Sequence, residues 1–297
     1  MIFFKKNKSF IIILILSLLW VIVCLMQENK RLNEQEKSYN DVVDYCRNNN
    51  DDWCKEILNN EYKKTDAISE YLYLLCYSIL SYLEILAPLL VIIPTSNIFI
   101  QFSKKGYIKN MLTRMKYKKF ISKLWLSLSK NILILPIILF TLFIGCAIIT
   151  DFNFNYISEL NNPSNLLSIV DSSYFEFPIS ILKYMFIIIL NTIFYINITL
   201  IVTNKCKNAW ISIATSYLVF IFLALISEMF IGSLICSILL KMPQYSGVFN
   251  MFGFWIPIDI PNINWILIYS VILSILSSLL SYSIFKNKEM VVISNEN

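Results

Sequence analysis

This sequence predicts an all-α, polytopic membrane protein with six spans, and three observations carry that reading. The composition is the first: 57% of the 297 residues are hydrophobic and 15% charged, with mean hydropathy +0.63, whereas a soluble domain averages about 25% charged. The second is a series of apolar runs of spanning length, at about 10–26, 71–100, 124–150, 178–203, 209–231 and 264–285, since a helix needs about 20 apolar residues to cross a bilayer. The third is the sign of the charge between the runs. The segment 101–123 carries Lys104, Lys105, Lys109, Arg114, Lys116, Lys118, Lys119 and Lys123 without an acid, whereas 151–177 carries Asp151, Glu159, Asp171 and Glu176 without a base. Basic residues in short loops stay on the cytoplasmic side, so 101–123 is expected inside, 151–177 outside, and both termini inside. The whole chain, 1–297, reads as one transmembrane domain.

Composition also excludes several chemistries. Histidine is absent, which removes Ser-His and Cys-His catalysis, His-ligated zinc and the HExxH motif. None of the five glycines starts a GxxxxGK[ST] loop, so the chain has no P-loop route to ATP hydrolysis of its own. It is not expected to be an enzyme, to hold a metal or cofactor, or to bind nucleic acid. Frequent Ile, Asn and Lys fit a low-GC bacterium, and the expected location is the bacterial cell membrane.

The first span follows Lys5, Lys6 and Lys8, and LMQENKR after it offers no small-x-small cleavage site. The loop 27–70 carries eleven acids against seven bases and neither Gly nor Pro. It is expected outside, as helices continuing outward from the first two spans. Within it, Cys46 and Cys54 bracket RNNNDDW. Two cysteines joined by a turn-prone run in an oxidising compartment suggest a disulfide that staples a helical hairpin. The alternatives are two free thiols, or calcium binding by the Asn/Asp run without the EF-hand glycine and distal Glu.

The second run is longer than one perpendicular crossing, and Pro88 and Pro94 within it predict a kinked span. Glu84 lies inside it, either in a structural hydrogen bond between helices or on a transport path. Pro136 marks a kink in the third span. The fourth and fifth spans are joined by a tight basic turn at 204–208. The apolar run from Ala209 to Leu240 is about 48 Å long as one helix, so the fifth span is expected to stop near Glu228 and Gly232. Ser233 to Leu240 would then form a separate re-entrant helix before the sixth span. Glu228 would line the exit of a pathway or satisfy backbone N–H groups at the break.

Within the basic segment, Ile108, Met111 and Leu112 follow the i, i+3, i+4 spacing of one helix face, with Gly106 as a break before it. A short amphipathic helix at the inner surface follows, serving as an anchor on anionic lipid or as a docking helix for a soluble subunit. Gly106, Ile108, Lys109, Asn110 and Leu112, with Lys123 and Leu124 further on, resemble the cytoplasmic loop of ABC transporter permeases of the type-2 exporter class. This chain departs from that pattern in having no acid in Gln101 to Lys105. The resemblance implies that Lys105, Gly106, Tyr107, Ile108, Lys109, Asn110, Met111, Leu112 and Arg114 form a coupling helix against a cytoplasmic ATPase subunit. That subunit would bind ATP and Mg. It also implies a second permease subunit, identical or a sibling, and the export of an amphipathic cargo such as a peptide, antibiotic or lipid. A reading that needs no ATPase is a membrane immunity or sensor protein that binds a peptide through 27–70.

Overall fold

The computed structural model describes residues 8–48, 52–59, 65–78, 82–103, 114, 116–154, 179–206, 208–251 and 263–286. Among the described residues there is no strand, and six helices are long and apolar enough to cross a membrane.

Helix α1, Lys8–Asn48, is continuous for 41 residues, about 61 Å at 1.5 Å per residue. No Gly or Pro interrupts it, so the helix that starts in the first apolar run carries on through the polar sequence beyond Met26. Its buried positions are Ile13, Ser17, Val21, Cys24 and Glu28, then Cys46, and half-buried Leu32, Glu36, Tyr39 and Val43 fill the gap. That three- and four-residue spacing makes one stripe along the full length. Ile11, Ile12, Ile15, Leu16, Leu19, Ile22 and Val23 are exposed, as a lipid-facing surface requires. The polar half, which we call the arm, meets the short helix α2, Asp52–Asn59.

Helix α3, Ala67–Tyr77, begins at Asp66, whose side chain accepts from the Ile68 and Ser69 amides, both at 2.9 Å. This N-cap fixes the start of the helix. Its end is at Ser78, where the backbone turns extended and the hydroxyl bonds the Leu74 carbonyl. Helix α4, Leu83–Ser103, follows. The extra length of the second run is divided after Ser78 between two helices and not carried by one span, and both prolines lie inside α4. Tyr217 Oη of α8 donates to the Ile85 carbonyl in the first turn of α4 at 3.0 Å.

Helix α5, Tyr117–Leu128, passes through a 3₁₀ turn, Ser129–Leu133, into α6, Ile134–Ile149. The tight turn ends just before Pro136, whose ring would meet the Ile132 carbonyl of a regular helix. Helix α7, Ile179–Thr203, is joined to α8, Ala209–Ile226, by a short turn closed by Asn208, which accepts from the Trp210 amide at 3.1 Å. Winding does not stop at Glu228 and Gly232. It changes from α to π at Ser227 and runs to Leu239, which corrects the expected separate helix from Ser233. The reversal comes later, at Lys241, where φ is 54°. A 3₁₀ segment, Pro243–Phe249, then folds back on the π segment, and α9, Ile263–Lys286, completes the bundle.

Helices α7 and α4 form the centre: 61% and 56% of their most apolar stretches are buried, against 22% for the first and fifth spans. The other spans surround them, and α9 packs along α7.

Candidate functional site

Three places in the bundle carry chemistry beyond apolar packing. The first joins the arm to α3. Glu28 on α1 and Glu70 on α3 are only 5% and 2% exposed, and both bond Arg31, Glu28 through Nε and Glu70 through Nη2 at 2.8 Å. The Arg31 guanidinium also lies over the Tyr73 ring, 4.4 Å from its centroid, a stacking that the planar cation favours. Glu70 is pushed up to about 7 by burial, then by the hydrogen bond and charge of Glu28, with Arg31 opposing. The geometry below this cluster is set by a strained turn: Asp151 and Phe152 both have φ of 55°, a region that costs a non-glycine residue roughly 1–2 kcal/mol. It places the Asn153 carbonyl to accept from the Ala67 amide at 2.8 Å, so α6 holds the start of α3.

At the far end of the arm, Cys46 and Cys54 are disulfide-bonded with Cα atoms 4.9 Å apart. The bond fastens α2 against α1, and Tyr39 Oη donates to the Ile57 carbonyl at 3.5 Å. Trp53 stacks on Tyr45 at 5.9 Å, and both rings are about half exposed. Asn49 to Asp51, part of the run between the cysteines, lie outside the described residues.

The second place is a buried polar seam. Ser270, Ser274, Ser277 and Ser281 recur along α9 at helical spacing and are all buried; small residues of this kind let membrane helices approach closely. Asn197 on α7 donates to Ser278 Oγ at 2.9 Å and to Ser277 Oγ at 3.2 Å. Nearer the α7–α8 turn, Thr203 Oγ1 and Ser212 Oγ are 2.6 Å apart, and Ser212 donates to Ser96 on α4 at 3.2 Å. Asn131 Nδ2 reaches Thr95 at 3.0 Å. These bonds link α4, α7, α8 and α9 across the core.

The third place is the basic end. Phe120, Leu124 and Leu128 of α5 are buried, whereas Lys118 and Lys119 are exposed. Tyr117 Oη donates to the Phe285 carbonyl at 2.7 Å, Phe120 packs edge-on against Phe102, and Phe99 against Phe285. The ends of α4 and α9 are thereby fastened to α5, so both flanks of the basic segment are anchored. Lys105, Gly106, Tyr107, Ile108, Lys109, Asn110, Met111 and Leu112 themselves lie outside the described residues; Arg114 is exposed.

The two carboxylates singled out within spans lie on different elements. Glu84 falls in the first turn of α4, with its side chain outside the described residues. Glu228 is exposed at the start of the π segment. The junction there is made by Ser227, whose hydroxyl donates to the Phe249 carbonyl at 2.7 Å and lies 2.5 Å from Tyr269 Oη. Among the described residues no group of three or more Cys, Asp or Glu is arranged to hold a metal. No protein-family model matches the chain, and neither does any curated protein or solved structure.

Proposed function

We propose that the chain is the membrane subunit of an ATP-driven exporter in a bacterial cell membrane. The observation that carries this reading is the placement of the basic segment 101–123 between the second and third of six membrane-length helices. Its anchored flanks, α4 and α5, support it, since a docking element can transmit force only through a firm attachment. In this reading Gly106 to Leu112 seat on an ATPase subunit that binds ATP and Mg. Lys105, Lys109 and Arg114 contact that subunit or lipid head groups. Closure of the paired ATPases moves two such segments, tilts the spans of two permease subunits and expels an amphipathic cargo.

A second reading is favoured by the arm: a stapled hairpin with exposed Tyr45 and Trp53 suits a sensor or immunity protein that binds a peptide without an ATPase. One experiment separates them. The tagged chain and an Ile108→Asp, Leu112→Asp variant are purified in mild detergent from the native host. The co-purifying subunits are identified by mass spectrometry and assayed for ATP hydrolysis. Recovery of a P-loop ATPase with the original chain and its loss from the variant supports the exporter. Recovery of none with the intact chain moves the arm-centred reading ahead.

A further inference from the structure

We propose that Glu28 and Glu70 form a proton-binding site, in which one proton shared between the two carboxyls fastens the arm to α3 and its loss loosens that contact. The inference holds whatever the chain transports. Its basis is a charge imbalance in a nearly dry place: two carboxylates, 5% and 2% exposed, meet one guanidinium. With both acids ionised the cluster is net negative, and burying an uncompensated charge is costly. With one proton between them, the carboxyl donates to the carboxylate, Arg31 balances the remaining charge, and the cluster is neutral. Two carboxylates sharing a site behave in this way generally.

Among the described residues, Arg31 is the cation paired with these two carboxylates. On α1, Lys30 is turned to Glu34 at 3.6 Å and is largely exposed. On α3, Tyr73 offers its ring to Arg31, and Asp66 is engaged with the Ile68 and Ser69 amides and the Ser69 hydroxyl. From α6 the buried Cys146 thiol adds no positive charge. Glu70, at about 7 in the docked state, stands above the ordinary glutamate value of about 4.3. The docked state therefore binds the proton more tightly than the released one. Its contribution is complete below the ordinary value and is lost as pH rises through about 7, with an effect on docking on the order of a hundredfold.

The test uses the full chain in lipid nanodiscs, with hydrogen–deuterium exchange followed from about pH 5 to about pH 8 and corrected for intrinsic exchange. Protection of the arm base and of Ala67–Tyr77 is expected to fall on the order of a hundredfold, about tenfold per pH unit at first, and to level off just above pH 7. In Glu70→Gln, a neutral donor that cannot ionise, protection should stay flat. Flat protection in the original chain, or an unchanged fall with pH in Glu70→Gln, overturns the proposal. Infrared difference spectra of the unaltered protein give a second readout that needs no variant. A protonated carboxyl band that titrates near neutrality is expected, and its absence overturns the proposal as well.

Discussion

Gly145 of α6 lies directly beneath Leu25 of α1, so closely that a Cβ at position 145 would overlap the Leu25 side chain. The close approach sets the seam between the first and third spans, where small residues substitute for the hydrophobic drive that lipid does not provide. Gly145→Ala is expected to destabilise by about 1–3 kcal/mol as an overpacked site, measured by thermal unfolding in detergent. Because the obstacle is the flexible end of a leucine, Leu25→Ala in the same chain should relieve the overlap. The two changes should then be non-additive; strict additivity would show that the seam has another origin.

Arg31→Met leaves Glu28 and Glu70 with no paired cation among the described residues. Removing one partner of a buried ion pair costs about 3–5 kcal/mol, here at neutral pH. Since Glu70 is held near 7 with Arg31 present, removing the opposing cation raises it further. The deficit should therefore shrink as pH falls below neutral and grow above it. Stability curves of the variant at two pH values check the sign, and a deficit that grew on acidification would contradict the described cluster.

A Cβ at Gly232 would come within 3.0 Å of the Ser246 carbonyl oxygen and 3.7 Å of Phe249 Cβ. The opposing atom is backbone, which cannot turn aside, so Gly232→Val is expected to separate the π segment from the 3₁₀ segment at a cost of about 1–3 kcal/mol. By contrast, Lys241→Gly should be stabilising by up to about 1 kcal/mol, because position 241 has φ of 54°. Limited proteolysis near residue 241 and melting temperature report both changes; equal effects from the two would contradict this turn geometry.

The six spans were legible because bilayer length imposes a long apolar run, and Cys46 and Cys54 because their spacing and flanking Asn/Asp run mark a closed turn. The break at Ser78 was hidden: Pro88 and Pro94 are the stronger local signals, yet both are accommodated within α4. The continuation past Gly232 was hidden for a related reason. A glycine reads as a stop in isolation, but here its missing side chain admits the Ser246 backbone. For Arg31 and Glu70 the sequence offers only separate charges 39 positions apart. The buried serines of α9 do show helical spacing in the sequence, and that spacing was the available clue to the seam. It was masked by the apolar residues on every other face, since a lipid-facing helix lacks the polar side that makes amphipathicity visible.

The uninterrupted α1 gives the molecule a lever. Its arm extends from Met26 to Asn48, about 33 Å at helical rise, with the Arg31 cluster close to the fulcrum and the Cys46–Cys54 bond near the tip. A tilt of the first span by about 10° would carry that tip sideways by about 6 Å, given the same rise per residue. Small rearrangements among the spans thus become displacements the size of a side chain at the far end, and a load placed on Tyr45 and Trp53 would be returned to the bundle with the same mechanical advantage.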